Sequence, residues 1–426
     1  EISRGDWSSD VCSSDLERFE RPLIESGKKR WLFLGITFFL LIASVAMFFT
    51  KSVAVKMLPF DNKNEFQVVI DLPEGTTLER TSAVTKEIGA YLSTRPEVVN
   101  YQTYVGTSAP ITFNGLVRHY DLRGGSNMAD IQVNLVDKHD RSEQSHDIAK
   151  LLRPKIQELG KKYDANIKIV EVPPGPPVLS TIVAEVYGPD YEKQIALADD
   201  VKGILNNTED VVDVDWMVED DQVEYDFVID KEKAMLYGVT PQQIVEVMAM
   251  TFREQPVSHI YREDAFDQIG IVLSMSEKDK SSLDEIKQVK IASQQGNMVS
   301  VGDLVQVKEG VKAKSIYRKN QKRVVYVMSD MAGELESPVY AILGMTDKLN
   351  QLELPQGYSI DELYMEQPQF EDDYTVKWDG EWQITLEVFR DLGIAFMGVI
   401  VIIYMLIVGW FQNFKAPMVM MVAIPL

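Results

Sequence analysis

The sequence predicts an α+β protein hung between membrane-crossing helices, and three observations predict it. Two stretches free of charged side chains, Trp31–Phe49 and Leu392–Trp410, each reach the ~18 to 20 residues that a helix needs to cross ~30 Å of hydrocarbon. Between them lies a polar, acidic span of roughly 340 residues, enough for two or three domains. Inside that span, runs of strand and helix periodicity follow the order β-α-β-β-α-β, the split arrangement of a ferredoxin-like sandwich, and the order then begins again.

Taken in order, Phe66–Leu72 reads as a strand, and Thr76-x-x-Glu79 opens a helix as a capping box. Val84, Ile88, Tyr91 and Leu92 give that helix one apolar face. Val98–Val105 is the second strand and Ile131–Val136 the third, with a long Gly-rich loop between them. Asp140 and Glu143 begin the next helix, whose Ile148, Leu151, Leu152, Ile156 and Leu159 recur at helical spacing. Ile167–Val172 closes the first set. The run Pro173-Pro174-Gly175-Pro176-Pro177 can continue no element.

The second set opens with a strand at Thr181–Tyr187, a helix at Asp190–Leu205 and a strand at Val211–Trp216. Its other half comes much later: a strand at Arg323–Ser329, a helix started by Ser337 and Pro338 as N-cap and first turn, and a strand at Tyr358–Leu363. Residues 224–316 read as an inserted α+β region, with a strand at Tyr225–Ile229, a helix capped by Thr240 and Pro241, and strands at Ile269–Met275 and Val299–Val307. The resulting division is 17–30 cytoplasmic linker, 31–49 crossing, 50–178 first unit, 179–223 and 317–373 second unit, 374–391 linker to the membrane and 392–410 crossing. The apolar run 417–426 reads as the start of a third crossing, which predicts a multi-pass protein.

Lys and Arg number 43 against 65 Asp and Glu, a formal charge of -22, so the phosphate backbone of a nucleic acid is not the partner. Arg18, Arg21, Lys28, Lys29 and Arg30 precede the first crossing and Lys415 follows the second, which places both ends in the cytoplasm and the acidic span outside the inner membrane. The only cysteine, Cys12, sits in the Ser/Asp-rich run Glu1–Leu16, which resembles translated adapter sequence or a disordered tail and stays outside the fold argument. With that front and no initial Met, a piece of a longer chain is expected.

His119, His139, His146 and His259 form no zinc-binding pattern, and neither a phosphate-cradling Gly-rich motif nor Gly-x-Ser-x-Gly is present. The sequence therefore predicts no enzyme, no metal site and no cofactor. The acid pairs Asp199-Asp200, Asp220-Asp221 and Asp372-Asp373 read as solvated faces. Eighteen methionines raise the alternative of a copper or silver site. Yet the first unit, beyond Met57 beside the crossing, carries only Met128, and Met248, Met250 and Met275 lie in the insertion, so no triad is visible in the first β-α-β-β-α-β unit.

The unusual stretch is Gly106–Gly125. It carries Ile111, Phe113, Leu116, Val117 and Tyr120 where a loop is normally polar, with Gly106, Gly115, Gly124 and Gly125 as candidate hinges. Tyr101 and Tyr104 on the preceding strand add aromatic surface. Two readings stand: the loop lines a pocket for greasy ligands, or it covers the sandwich or a neighbouring subunit.

The order of the first crossing, Met57-Leu-Pro-Phe-Asp61, Ile70-Asp-Leu-Pro-Glu-Gly-Thr-Thr-Leu-Glu-Arg-Thr81 and Phe227-Val-Ile-Asp-Lys-Glu-Lys-Ala-Met-Leu-Tyr-Gly-Val239 resembles the second half of the resistance-nodulation-division (RND) efflux pumps, with the hydrophobe and amphiphile exporters nearest in pattern. The resemblance implies two porter subdomains with a docking subdomain inserted in the second, flanked by the seventh and eighth transmembrane helices. It also implies a proton-driven homotrimer among the lipids of a Gram-negative inner membrane. Its partners would be a periplasmic adaptor (membrane fusion) protein, an outer-membrane channel and small amphiphilic substrates. Residues 106–125 match the position of the family's switch loop, and Tyr101 and Tyr104 its deep-pocket strand. Arg118-His119-Tyr120-Asp121 departs from the Phe- and Gly-rich pattern expected there. The proton-relay helices lie outside the chain. A heavy-metal exporter and a membrane-anchored periplasmic sensor are the alternatives.

Overall fold

The computed structural model describes residues 25–50, 52–53, 60–172, 178–252, 256–333, 336–354 and 357–421. The expectations for Glu1–Leu16 with its Cys12, for Met57 to Pro59, for the prolines at 173–177 and for 422–426 lie outside the described residues.

The first helix, α1 (Gly27–Phe49), is followed by the first β-α-β-β-α-β set: β1 (Glu65–Asp71), α2 (Leu78–Leu92), β2 (Val98–Thr107), β3 (Gly124–Leu135), α4 (Ser145–Tyr163) and β4 (Asn166–Val170), with a short α3 (Phe113–Arg118) between β2 and β3. Strand order is β2-β3-β1-β4, and every neighbouring pair is antiparallel. Alternation along β1 sends Phe66, Val68 and Ile70 to the helix-covered face, where Val84 and Ile88 of α2 and Ile148, Leu152 and Ile156 of α4 meet them. Each such buried side chain is worth about 1.5–3 kcal/mol.

Both helix starts differ from the sequence reading. Helix α2 begins one residue later, with Thr77 at the N-cap and no side-chain cap bond. The Thr76 hydroxyl instead donates to the Pro73 carbonyl at 2.6 Å, so the turn before the helix consumes the expected cap. Helix α4 starts at Ser145, where Gln144 and Asp147 form a capping box, rather than at Asp140 and Glu143. Leu151 points outward on this helix.

The second set contains β5 (Ile182–Tyr187), α5 (Tyr191–Asn206) and β6 (Val211–Trp216). The chain then leaves for a separate compact unit, Glu219–Ser315. That unit holds β7 (Val223–Ile229), α6 (Lys231–Leu236), α7 (Pro241–Phe252), a hairpin of β8 (Pro256–Ile260) and β9 (Ile269–Val272), the short helices α8 (Glu277–Lys280) and α9 (Leu283–Lys287), β10 (Lys290–Ala292), β11 (Met298–Ser300), α10 (Val301–Leu304) and β12 (Val305–Val311). The single strand expected over Val299–Val307 is split by α10, which turns Val301 and Leu304 into the unit's own core beside Ala234, Ile244 and Ile291. A cavity of about 600 Å³ opens between Tyr225 and Phe227 of β7, Met248 and Phe252 of α7, and Leu283 and Ile286 of α9.

On return, a small hairpin of β13 (Arg318–Lys319) and β14 (Lys322–Arg323) leads into β15 (Val325–Met331), then α11 (Pro338–Leu349), β16 (Asp361–Leu363) and β17 (Thr375–Gly380). The sheet order is β16-β17-β5-β15-β6. With β16 set aside, this repeats the order of the first sheet. The expected closing strand at Tyr358–Leu363 is therefore corrected: only Asp361–Leu363 is extended, and it lies parallel to β17 at the sheet edge. The central place beside β5 belongs to β17, inside the segment 374–391 expected to be a linker. Its alternation explains the difference, because Val376 and Trp378 are fully buried against Val186, Leu197 and Ile342.

Strand β17 passes directly into α12 (Glu381–Phe411), and α13 (Lys415–Met421) follows. Helices α1 and α12 are the two among the described residues that are long and apolar enough to cross a membrane, and no residue of their apolar windows is buried in the protein.

Candidate functional site: a loop seated on buried ion pairs

The connection between β2 and β3 is an ordered structure with two short helical turns. Thr112 caps α3 by accepting the Gly115 N–H at 3.1 Å. Helix α3 ends at His119, whose φ of +59° turns the chain into a single 3-10 turn at Tyr120–Leu122. Positive φ also occurs at Gly106 (+79°) and Gly125 (+148°), where L side chains are disfavoured. Gly115 lies inside α3 and Gly124 inside β3 without positive φ, so the sharp bends fall at Gly106, His119 and Gly125.

Two arginines from this loop reach inward. Arg118 donates to both oxygens of Asp330 on β15, at 2.7 and 3.3 Å. Burial opposes the charge of each partner, but the guanidinium, the Thr181 N–H and the Ser180 hydroxyl hold the Asp330 carboxyl well below the usual range. Arg123 forks between Asp71 on β1 and Asp130 on β3 and adds the Ile70 carbonyl at 3.1 Å. Its guanidinium carbon lies 5.7 Å from the centre of the Tyr120 ring. Lys168 on β4 extends the chain of charges, pairing with Asp71 at 3.0 Å and with Asp215 on β6.

These pairs continue along the contact between the two β-α-β-β-α-β halves. Arg153 of α4 pairs with Asp213 of β6, whose φ is +53°. His146, stacked on Phe60 at 4.1 Å, bridges Glu171 at 2.6 Å and Glu336 at 2.7 Å. Burial opposes its charge, but the two carboxylates win and push the imidazole up to about 9. The halves keep separate apolar cores and meet through charge.

With its two arginines turned inward, the loop turns apolar side chains outward. Ile111 is 74% exposed and Leu116 57%, Phe113 is about half exposed, and Val117 and Tyr120 are partly covered. The two strand tyrosines are not brought together. Tyr101 lies on the helix side of β2, so close to Gly89 of α2 that a Cβ there would stand 2.6 Å from its ring. Tyr104 lies on the opposite face and donates to Gln102 at 2.7 Å.

The pairing of Asp71, Asp130 and Asp330 with Arg118, Arg123 and Lys168 escaped the sequence reading, which read the acid pairs of so acidic a chain as solvated faces. The pairs Asp199-Asp200, Asp220-Asp221 and Asp372-Asp373 do sit on the surface.

The sequence pattern of the AcrB/AcrD/AcrF family matches residues 4–426. The chain is 27% identical over 244 residues to the swarming motility protein SwrC of Bacillus subtilis (strain 168), covering 56% of the chain and 21% of that protein. It is 23% identical over 161 residues to the nickel and cobalt resistance protein CnrA of Cupriavidus metallidurans, covering 37% of the chain and 15% of that protein. Among solved structures, a heavy metal efflux pump (crystal form II) superposes with a TM-score of 0.73 at 16% identity, over 97% of the chain and 40% of that structure. The chain thus spans about a fifth of the length of SwrC and two fifths of that of the pump.

Proposed function

The chain belongs to the AcrB/AcrD/AcrF family of RND permeases, and from that premise we propose that it is the substrate-handling part of an exporter of amphiphilic compounds. In this reading the two β-α-β-β-α-β halves are porter subdomains, and the unit Glu219–Ser315 is a docking subdomain inserted in the second. Helices α1 and α12 cross an inner membrane as two of several spans, with the halves on the periplasmic side. The whole permease acts as a proton-driven homotrimer with a periplasmic adaptor and an outer-membrane channel.

The observation that carries the substrate reading is the loop itself. Its two arginines hold it to buried carboxylates, while Ile111, Phe113 and Leu116 remain turned outward, an apolar surface kept in water by the seat beneath it. Such a surface suits a ligand with an apolar body. Phe113→Ala combined with Tyr120→Ala, in the full-length permease and a pump-deficient strain, is expected to change the ranking of dyes, detergents and hydrophobic antibiotics exported, at normal membrane abundance. Equal loss of all transport together with loss of the trimer would show that the loop only covers a subunit contact.

A second reading, heavy-metal export, is favoured by the names of two relatives: a nickel and cobalt resistance protein and a heavy metal efflux pump. The same strain separates the two readings. Tolerance to nickel, cobalt, copper or silver without any gain against amphiphiles, and loss of copper or silver tolerance on Met128→Ile, would favour metal.

A further inference from the structure

We propose that Asp330 is a positioning residue that sets the posture of the Gly106–Gly125 loop and ties it to the start of α12. The proposal rests on the transport reading above and names the residue through which the loop is held. Asp330 lies near the end of β15 with its side chain 13% exposed. Besides the two bonds from Arg118, it accepts from the Ser180 hydroxyl at 2.8 Å, the Thr181 N–H at 3.1 Å and the Thr181 hydroxyl at 3.1 Å. Donors converge on both oxygens, an arrangement only a carboxylate satisfies, since an amide would aim an N–H at one of them. Replacing one partner of so buried a pair leaves the other charge stranded.

The connection continues past Thr181. Its carbonyl accepts the N–H of Glu381, the first residue of α12, at 3.2 Å. The preceding Gly380 has a φ of +78°, and a Cβ there would stand 2.6 Å from the Ser180 carbonyl oxygen and 2.9 Å from that of Thr181. The membrane helix therefore starts pressed against the two residues that hold Asp330. Residues far apart in the chain form one short path: Arg118 to Asp330, Asp330 to Thr181, Thr181 to Glu381. A continuous path becomes coupling only if disturbing one end is felt at the other through the middle, and this decides the experiment.

A nitroxide on Leu116→Cys, at an exposed position of α3, reports loop motion in the full-length permease reconstituted in nanodiscs, without any substrate. Asp330→Asn and Arg118→Gln are each expected to speed label rotation about twofold. Glu381→Pro removes one N–H at a first helical position, where proline is tolerated. It should shift the label in the otherwise unchanged protein and produce no further shift in the Asp330→Asn or Arg118→Gln background. Where Asp330→Asn fails to reach the membrane, Thr181→Val, which drops one donor and keeps the charge pair, should give the same non-additivity in smaller degree. Full addition of the two effects, or a label that Glu381→Pro leaves unmoved, overturns the proposal. Ethidium efflux measured on the same variants keeps the two claims apart. A coupled label with no export of any amphiphile sinks the substrate reading and leaves the positioning role standing.

Discussion

The two β-α-β-β-α-β halves elaborate the same place in opposite ways. In each, the second and third strands are antiparallel neighbours, β2 beside β3 and β6 beside β15, so their connection is in essence a hairpin at the sheet edge. In the first half residues 108–123 fill it with two helical turns pinned by Arg118 and Arg123. In the second half residues 217–324 fill it with a unit that builds its own core around Ile244, Ile291 and Leu304. A connection too short to build an apolar core of its own is pinned by charge, and one long enough builds such a core. The first presents Ile111, Phe113 and Leu116 over a charged floor.

The comparison breaks most sharply if the cores are not independent. Trp378→Ala removes the largest fully buried side chain of the second half and should cost about 3–5 kcal/mol. Hydrogen exchange should show β5 and β15 losing protection while β1 and β3 keep theirs. Loss in both halves at once would mean that the charged contact transmits stability as an apolar core does.

A smaller effect sharpens the charged contact. His146 titrates near 9 in the folded protein against about 6.5 when unfolded. Its raised value means the bridge to Glu171 and Glu336 stabilises fully below pH 6.5 and fades as pH rises through about 9, a change of roughly 3 kcal/mol. Denaturant midpoints should fall from pH 6.5 to pH 10, and His146→Gln should flatten that fall. An undiminished slope in the variant would assign it to other groups. The smallest effect belongs to the loop's outer surface: Leu116→Ser should change stability by less than about 0.5 kcal/mol, and a larger loss on thermal unfolding would show that the exposed face is packed.

The order of elements was legible because apolar periodicity reports which face is buried. The span Val211–Trp216 and the Ser337-Pro338 helix start match the residues read from the sequence. Strand β17 was missed because Lys377 and Asp379 interrupt its apolar run, although Lys377 is fully buried. The charged seat escaped for a related reason. A carboxylate on a chain of net charge -22 looks like one more solvated acid. A finer signal was present for four of the charged residues: Asp71, Lys168, Asp213 and Asp215 fall within strands read from the sequence, whereas Asp130 and Asp330 join their strands only in the fold. On a strand whose other face is core, repeated charge marks a face covered by another charged surface. Which cation meets which anion depends on residues up to 212 positions apart, Arg118 and Asp330, and no local pattern encodes that.

Strand β17 enters α12 without an intervening loop, and Trp382 and Lys377 lock the junction to Tyr364 and Gln383. This sets a height. Of the 31 residues of α12, those before Leu392 include Glu381, Glu387, Arg390 and Asp391, and at 1.5 Å per residue they span roughly 16 Å. With Leu392 at the hydrocarbon boundary, the sheet of the second half stands that far above it, farther than a lipid headgroup layer reaches. The charged first turns of α12 then stand between the sheet and the apolar run, at the level where water and headgroups can solvate them.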